Sequence, residues 1–177
     1  MRILLTLAAV LAGLSLGVGE ASHGGSGWQN KPGPLELSVY TNTAGTEWEQ
    51  DVVAAGSDWN LSPDVDLTLL PLESNCGLHR GKITVCGGDY GAVGWFGRTT
   101  LRYQQGQIVA VYVQLNSYYR LLYNPQQAPC HELGHALGLS HFPYNPDVPT
   151  QSCMTTSTGP IHPDLHDYEM LTAMYGD

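Results

Sequence analysis

His131-Glu132-Leu133-Gly134-His135-Ala136-Leu137-Gly138-Leu139-Ser140-His141 reads H-E-x-x-H-x-x-G-x-x-H. On an α-helix four residues turn the side chain through about 400°, so His131 and His135 project from one face, one turn apart. Two imidazole nitrogens can then reach one Zn²⁺ at roughly 2.0–2.1 Å each. Glu132 stands beside the first histidine, within reach of a water at the metal as general base. Gly138 lets the helix stop and the chain turn, because glycine accepts positive φ without a Cβ clash. His141 can then swing back as a third ligand. Three protein nitrogens and an open fourth position describe a catalytic zinc site rather than a structural one. H-E-x-x-H alone is a modest signal, since His and Glu are ordinary surface residues of helices; all five positions together are far rarer.

Downstream, Ser152-Cys153-Met154-Thr155 places a methionine at a suitable remove. With it, the stretch resembles the long motif and Met-turn of the metzincin metallopeptidases. The resemblance implies an α+β, zincin-like fold: a mixed twisted sheet with a crossover helix, a central zinc-binding helix, the Met-turn and a C-terminal helix. It implies a zinc-dependent endopeptidase with His131, His135 and His141 as metal ligands and Glu132 as the catalytic base. Met154 would be an apolar floor under the metal, a support rather than a ligand. The ending, His166-Asp167-Tyr168 to Tyr175-Gly176, is similar to the matrixin C-terminal helix, in which an acidic residue supports the Met-turn; Asp167 matches that position. In particular the chain resembles small secreted bacterial matrixin-like peptidases, where one cysteine before the zinc motif and one before the methionine recur. It departs from matrixins in lacking a cysteine-switch segment, in a longer loop from His141 to Met154, and in carrying Thr155 where Tyr-Pro often follows the Met. No cluster matches their structural zinc or calcium sites, so one catalytic Zn²⁺ is expected and calcium is not.

The 177 residues allow one domain with a proper core. Residues 1–21 read as a signal peptide: Arg2 is a short basic region, Ile3 to Val18 is apolar and uncharged, and Gly19 and Ala21 suit a cleavage site. The run is short for an anchor, so a secreted, extracellular protein is expected, with no integral membrane segment after signal removal. Without Arg2 and Glu20, six basic residues face fifteen acidic ones, a net charge of −9. That charge argues against nucleic acid as a partner; the resemblance implies a protein or peptide substrate, and a monomer is expected.

Four cysteines in an exported chain suggest two disulfides, and three pairings are possible. Cys76 and Cys86 flank a short glycine-containing segment and can close a loop. If the Met-turn lies beneath the zinc helix, as in metzincins, Cys130 and Cys153 are neighbours, which favours Cys76–Cys86 with Cys130–Cys153. Cysteine as a zinc ligand is disfavoured, since Cys130 points about 100° around the helix from His131 and no C-x-x-C occurs.

Ser22 to Pro34 is rich in Gly, Ser and Pro and reads as a flexible leader to a catalytic domain over 35–177. Leu35 to Thr41 alternates like a half-buried strand. Thr46 and Glu49 predict a capping box, and Trp48, Val52, Ala55 and Trp59 an apolar helical stripe. Val65 to Leu70 is a second strand, so strand, helix, strand predicts a parallel crossover. A third strand is expected around Ile83 to Cys86, an edge strand over Ala92 to Leu101, and a central strand over Ile108 to Leu115. His79 has no ligand companions at suitable spacing and reads as a loop residue. The zinc helix should start after Asn124, at Pro125 or Pro129. Phe142 to Pro149, with three prolines, should be loop. The closing helix is capped by Asp164 and Gly176, with Leu165, Tyr168, Leu171 and Tyr175 on its inner face.

Three other readings compete: a zinc amidase acting on cell-wall peptides, a binding domain with a vestigial metal site, and a disulfide-stabilised structural domain. Glu132 argues against the second, because a binding-only zinc site has no chemical need of it; the third leaves the histidines unexplained.

Overall fold

A computed structural model describes residues 25–28, 32–142, 151–156 and 159–176. The apolar run over 1–21 and residues 143–149 of the proline-rich loop lie outside the described residues.

Five strands form one mixed sheet: β1 (Leu35–Thr41), β2 (Val65–Pro71), β3 (Ile83–Gly88), β4 (Gly97–Gln104) and β5 (Gln107–Asn116), in the order β2-β1-β3-β5-β4. β1 pairs in parallel with β2 and β3, β3 in parallel with β5, and β4 antiparallel with β5. The first two strands are joined through α1 (Glu49–Trp59), the expected parallel crossover. This is a zincin-like α+β fold. β3 is the middle strand. β5, expected to be central, is second from the edge; its nearly continuous apolar run reflects pairing on both sides and a well-buried middle.

The edge strand starts five residues later than its apolar content suggests. Gly91 and Gly94 have φ of 72° and 82°, so the stretch holding Val93 and Trp95 turns instead of extending. β4 then returns to β5 through Gln105-Gly106, whose φ values of 52° and 79° match the two-residue turn that fits the right-handed twist of paired strands.

In α1 the predicted stripe is buried: Trp48, Val52, Ala55 and Trp59 are all at most 1% exposed. The capping box does not form as expected. Thr46 donates to the Thr43 carbonyl and accepts from the Trp48 amide, while Glu49 Oε2 reaches back to the Gly45 amide. A turn closed by Thr46 N–H on Thr43 O takes up the hydroxyl before the helix begins. α1 packs against β2 and α2 (Gln127–Ala136), and α2 against β4 and β5. Pro129 sits third in α2, among the amides that have no helical acceptor, so its missing N–H costs nothing there.

In α3 (Leu165–Tyr175), Asp164 accepts from the His166 and Asp167 amides and Asp167 Oδ2 accepts from the Asp164 amide, a reciprocal cap. That start turns Asp167, Leu171 and Tyr175 inward. Leu165 lies about 200° around from Asp167 and is 72% exposed, not part of the inner face. Gly176 is extended (φ −69°), so the helix ends without using glycine's left-handed freedom.

The stretch expected as a flexible leader is pinned at Gly25–Trp28. Gly25 N donates to Gly138 O at 2.9 Å, and Gly27 O accepts from Ile108 N at 2.8 Å. Trp28 is buried and its Nε1 donates to Ala136 O at 2.8 Å. A tryptophan amid Gly, Ser and Pro has too much apolar surface to stay in water when a groove is at hand.

Candidate metal centre

α2 presents its two histidines from one face, and the chain beyond it brings in the third. The Leu137, Gly138 and Leu139 amides return to the Leu133, His135 and Gly134 carbonyls, and Gly138 takes φ 98°. A Cβ on Gly138 would also lie 2.7 Å from Ser26 O. Both the turn and the docked N-terminal segment therefore require glycine here.

His135 Nε2 and His141 Nε2 each lie 3.0 Å from His131 Nε2. The other ring nitrogens fix the tautomers. His131 Nδ1 is 2.7 Å from Cys153 O and His135 Nδ1 is 2.8 Å from Leu139 O. Carbonyls only accept, so both Nδ1 atoms carry hydrogen, and in the neutral imidazole each Nε2 is left with a bare lone pair. Lone pairs at this separation repel unless a cation lies between them. A tetrahedral ion with bonds of roughly 2.0–2.1 Å holds its ligand atoms roughly 3.3–3.4 Å apart, close to the observed spacing. Burial first, and then neighbouring His135, holds the His131 pKa down at about 4, against the pull of the Cys153 carbonyl. His131 is thus a neutral donor at neutral pH. The donor set fits a zinc ion. Among the described residues, it is the one group of three or more His, Cys, Asp or Glu able to hold a metal. His79 is apart from it, with Nε2 against Asn75 O at 2.7 Å.

Glu132 is 6% exposed. Burial pushes its carboxyl up to about 7, while a hydrogen bond from Thr99 works the other way. Met154 is fully buried, and a Cβ on Gly134 of α2 would run into its sulfur; the glycine lets this turn approach the helix. Ser152 Oγ donates to Asp167 Oδ2 at 2.6 Å and accepts from Met154 N at 2.8 Å, so α3 holds the turn at residues 152–154 through Asp167. Cys130 is bonded to Cys153 with Cα atoms 6.1 Å apart, and Cys76 to Cys86 at 6.2 Å. The turn is thus tied to α2 by a covalent bond and by Cys153 O on His131.

A cleft of about 560 Å³ opens over His131, Glu132 and His141 and is lined also by Trp95, Phe96 and Tyr123. Sequence reasoning missed three contributors to this region. Thr99 and Gly97 meet Glu132 from β4; nothing in a Gly-x-Thr spacing signals that. Tyr175 OH donates to Leu137 O at 2.6 Å and accepts from Trp28 N at 3.2 Å, joining α3, the end of α2 and the N-terminal segment. Tyr175 was legible only as an apolar face residue.

No protein-family model matches the chain, nor does any curated protein sequence. Among solved structures, myroilysin superposes with a TM-score of 0.50 at 14% identity, over 84% of this chain and 96% of that one. Metalloproteinase-II from Bacteroides fragilis aligns at TM-score 0.46 and 13% identity, over 87% of this chain and 57% of that one. At such identity the likeness to myroilysin is one of fold: this chain shares its architecture, and the chemistry must be argued from the chain's own residues.

Proposed function

We propose that the protein is a secreted zinc-dependent endopeptidase of metzincin, matrixin-like type, with His131, His135 and His141 as ligands and Glu132 as general base. The observation that carries this reading is the convergence of three histidine nitrogens beside a buried carboxyl at the mouth of an open cleft. Zinc, when bound, supplies Lewis acidity, which polarises a scissile carbonyl and lowers the pKa of water. The protein's own residues do the rest. The Cys153 and Leu139 carbonyls hold two imidazoles in the donor tautomer. Glu132, with its carboxyl raised towards neutrality, takes a proton from the attacking water and returns it to the leaving amine. Met154 closes the site from below without a polar atom that would compete. β4, at the end of the sheet, offers its outer edge to an extended peptide through main-chain hydrogen bonds. Two disulfides among the described residues support export, and no described helix is long and apolar enough to cross a membrane.

The test is zinc content and hydrolysis of an unfolded protein substrate by wild type and Glu132→Ala. Near-stoichiometric zinc in both, with hydrolysis only in wild type, is expected. Equal hydrolysis by both, or a folded protein that takes up no zinc, overturns the reading.

A further inference from the structure

Thr99 and Gly97 lie two residues apart on β4, on the same face of the strand, and both meet Glu132. Thr99 Oγ1 lies 2.6 Å from Glu132 Oε2 and 3.0 Å from the Glu132 carbonyl, as donor. At Gly97 a Cβ would sit 2.6 Å from both Cγ and Oε1 of Glu132 and 2.9 Å from Cδ. The carboxyl is therefore confined from two directions: a hydroxyl fixes one oxygen, and the missing side chain makes room for the other. We infer that β4 is a positioning clamp for Glu132, with the Thr99 hydroxyl holding Oε2 and Gly97 leaving room for Oε1, so that the carboxyl keeps the one conformer that serves the reacting water. This rests on Glu132 being the general base.

The physical need is plain. A buried carboxyl on a three-torsion side chain has several staggered conformers, and only one directs an oxygen at a water beside His131. A hydrogen bond to a carboxylate selects that conformer and is stronger than a neutral one. Proton transfer demands heavy-atom distances of roughly 2.6–3.2 Å, so a small displacement costs rate without altering how a peptide binds along the strand edge.

The experiment compares Thr99→Val, Thr99→Ser, Thr99→Ala and Gly97→Ala in the full mature protein with zinc bound. It measures kcat, KM, zinc content and melting temperature for each. Thr99→Val keeps the shape and removes the donor. We expect kcat to fall roughly 10- to 100-fold, with KM and zinc content unchanged, and Thr99→Ser to stay within about threefold of wild type. Gly97→Ala should lower kcat likewise at unchanged zinc content. The inference is overturned if Thr99→Val keeps kcat within twofold of wild type, or if Thr99→Ser is as impaired as Thr99→Val, because packing rather than the hydroxyl would then matter. Should Thr99→Val not fold, the Ser and Ala variants give the same comparison. Wild type with no Glu132-dependent hydrolysis would instead sink the peptidase reading itself; an active wild type with an indifferent Thr99 sinks only the clamp.

Discussion

Replacing Asp167 with alanine should damage a site it does not touch. Its side chain is fully buried, and Oδ2 accepts from Ser152 Oγ at 2.6 Å and from the Asp164 amide at 2.8 Å. Hydrogen bonds to such a group contribute roughly 1.5–3 kcal/mol each. Relief of the buried carboxyl's desolvation offsets part of that, so the lower end applies, a loss of about 3 kcal/mol for the two. In a chain of this size that is a drop in melting temperature of roughly 6–12 °C. The damage then travels. Ser152 Oγ, released, no longer anchors the Met154 amide, and the carbonyl of that same peptide unit, Cys153 O, is the acceptor that orients His131. Removing such an outer contact to a metal ligand costs about 10- to 100-fold in metal affinity. The assay is thermal unfolding with and without zinc, plus competition with a chelator of known affinity. Leu165→Ala on the same helix, at an exposed position, should change neither quantity. If Asp167→Ala melts within about 2 °C of wild type and binds zinc as tightly, the coupling of α3 to the histidine cluster through the turn at residues 152–154 is wrong.

Two further outcomes follow from the same structure. The Cys130–Cys153 bond closes a loop with a sequence separation of 23, so its removal as a double alanine variant should lower stability by about 3 kcal/mol and weaken zinc binding. Cys76–Cys86, with a separation of 10, should stabilise slightly less and leave zinc affinity unchanged; equal loss of affinity for both pairs would refute the assigned role of the first. In zinc-free protein, Glu132 has a pKa raised from 4.5 to about 7. The folded state thus holds a proton that the unfolded chain has lost, so this group's stabilisation is complete below about pH 4.5 and is lost as pH rises through 7. His131, with its pKa lowered, contributes in the opposite sense as pH rises from about 4 to 6.5, equally in wild type and a Glu132 variant. Glu132→Gln should therefore gain about 3 kcal/mol on wild type between pH 4.5 and pH 7 and above. Denaturant titrations of the two metal-free proteins check this, and parallel stability curves would contradict it.

What was legible in the sequence is what depends on short spacing. The two histidines one helical turn apart, the glycine that must turn after them and the tryptophan stripe of α1 are all local, because helix geometry alone sets which side chains share a face. The Asp164 cap is local for a related reason: its partners are the next amides along. The boundaries were less legible. Val93, Trp95 and Phe96 read as strand, yet two positive-φ glycines turn that stretch away before β4 begins, and the capping hydroxyl of Thr46 is spent on an earlier turn. Leu165 was misplaced because the cap, not the apolar count, sets the rotation of α3.

The sequence by itself determined the spacing of the three histidines, the place of Glu132 beside them and the class of fold that could carry them. Only the tertiary structure decided what holds them in place. Thr99 and Gly97 reach Glu132 across more than thirty positions of chain. Trp28 reaches Ala136 across 108, and Tyr175 reaches Leu137 across 38. Such contacts follow no period and leave no local pattern, because they depend on the order in which strands assemble and on how closely a helix and a turn can pack. A metal centre needs both kinds of information: ligands at fixed spacing, and a surrounding shell that only folding brings together.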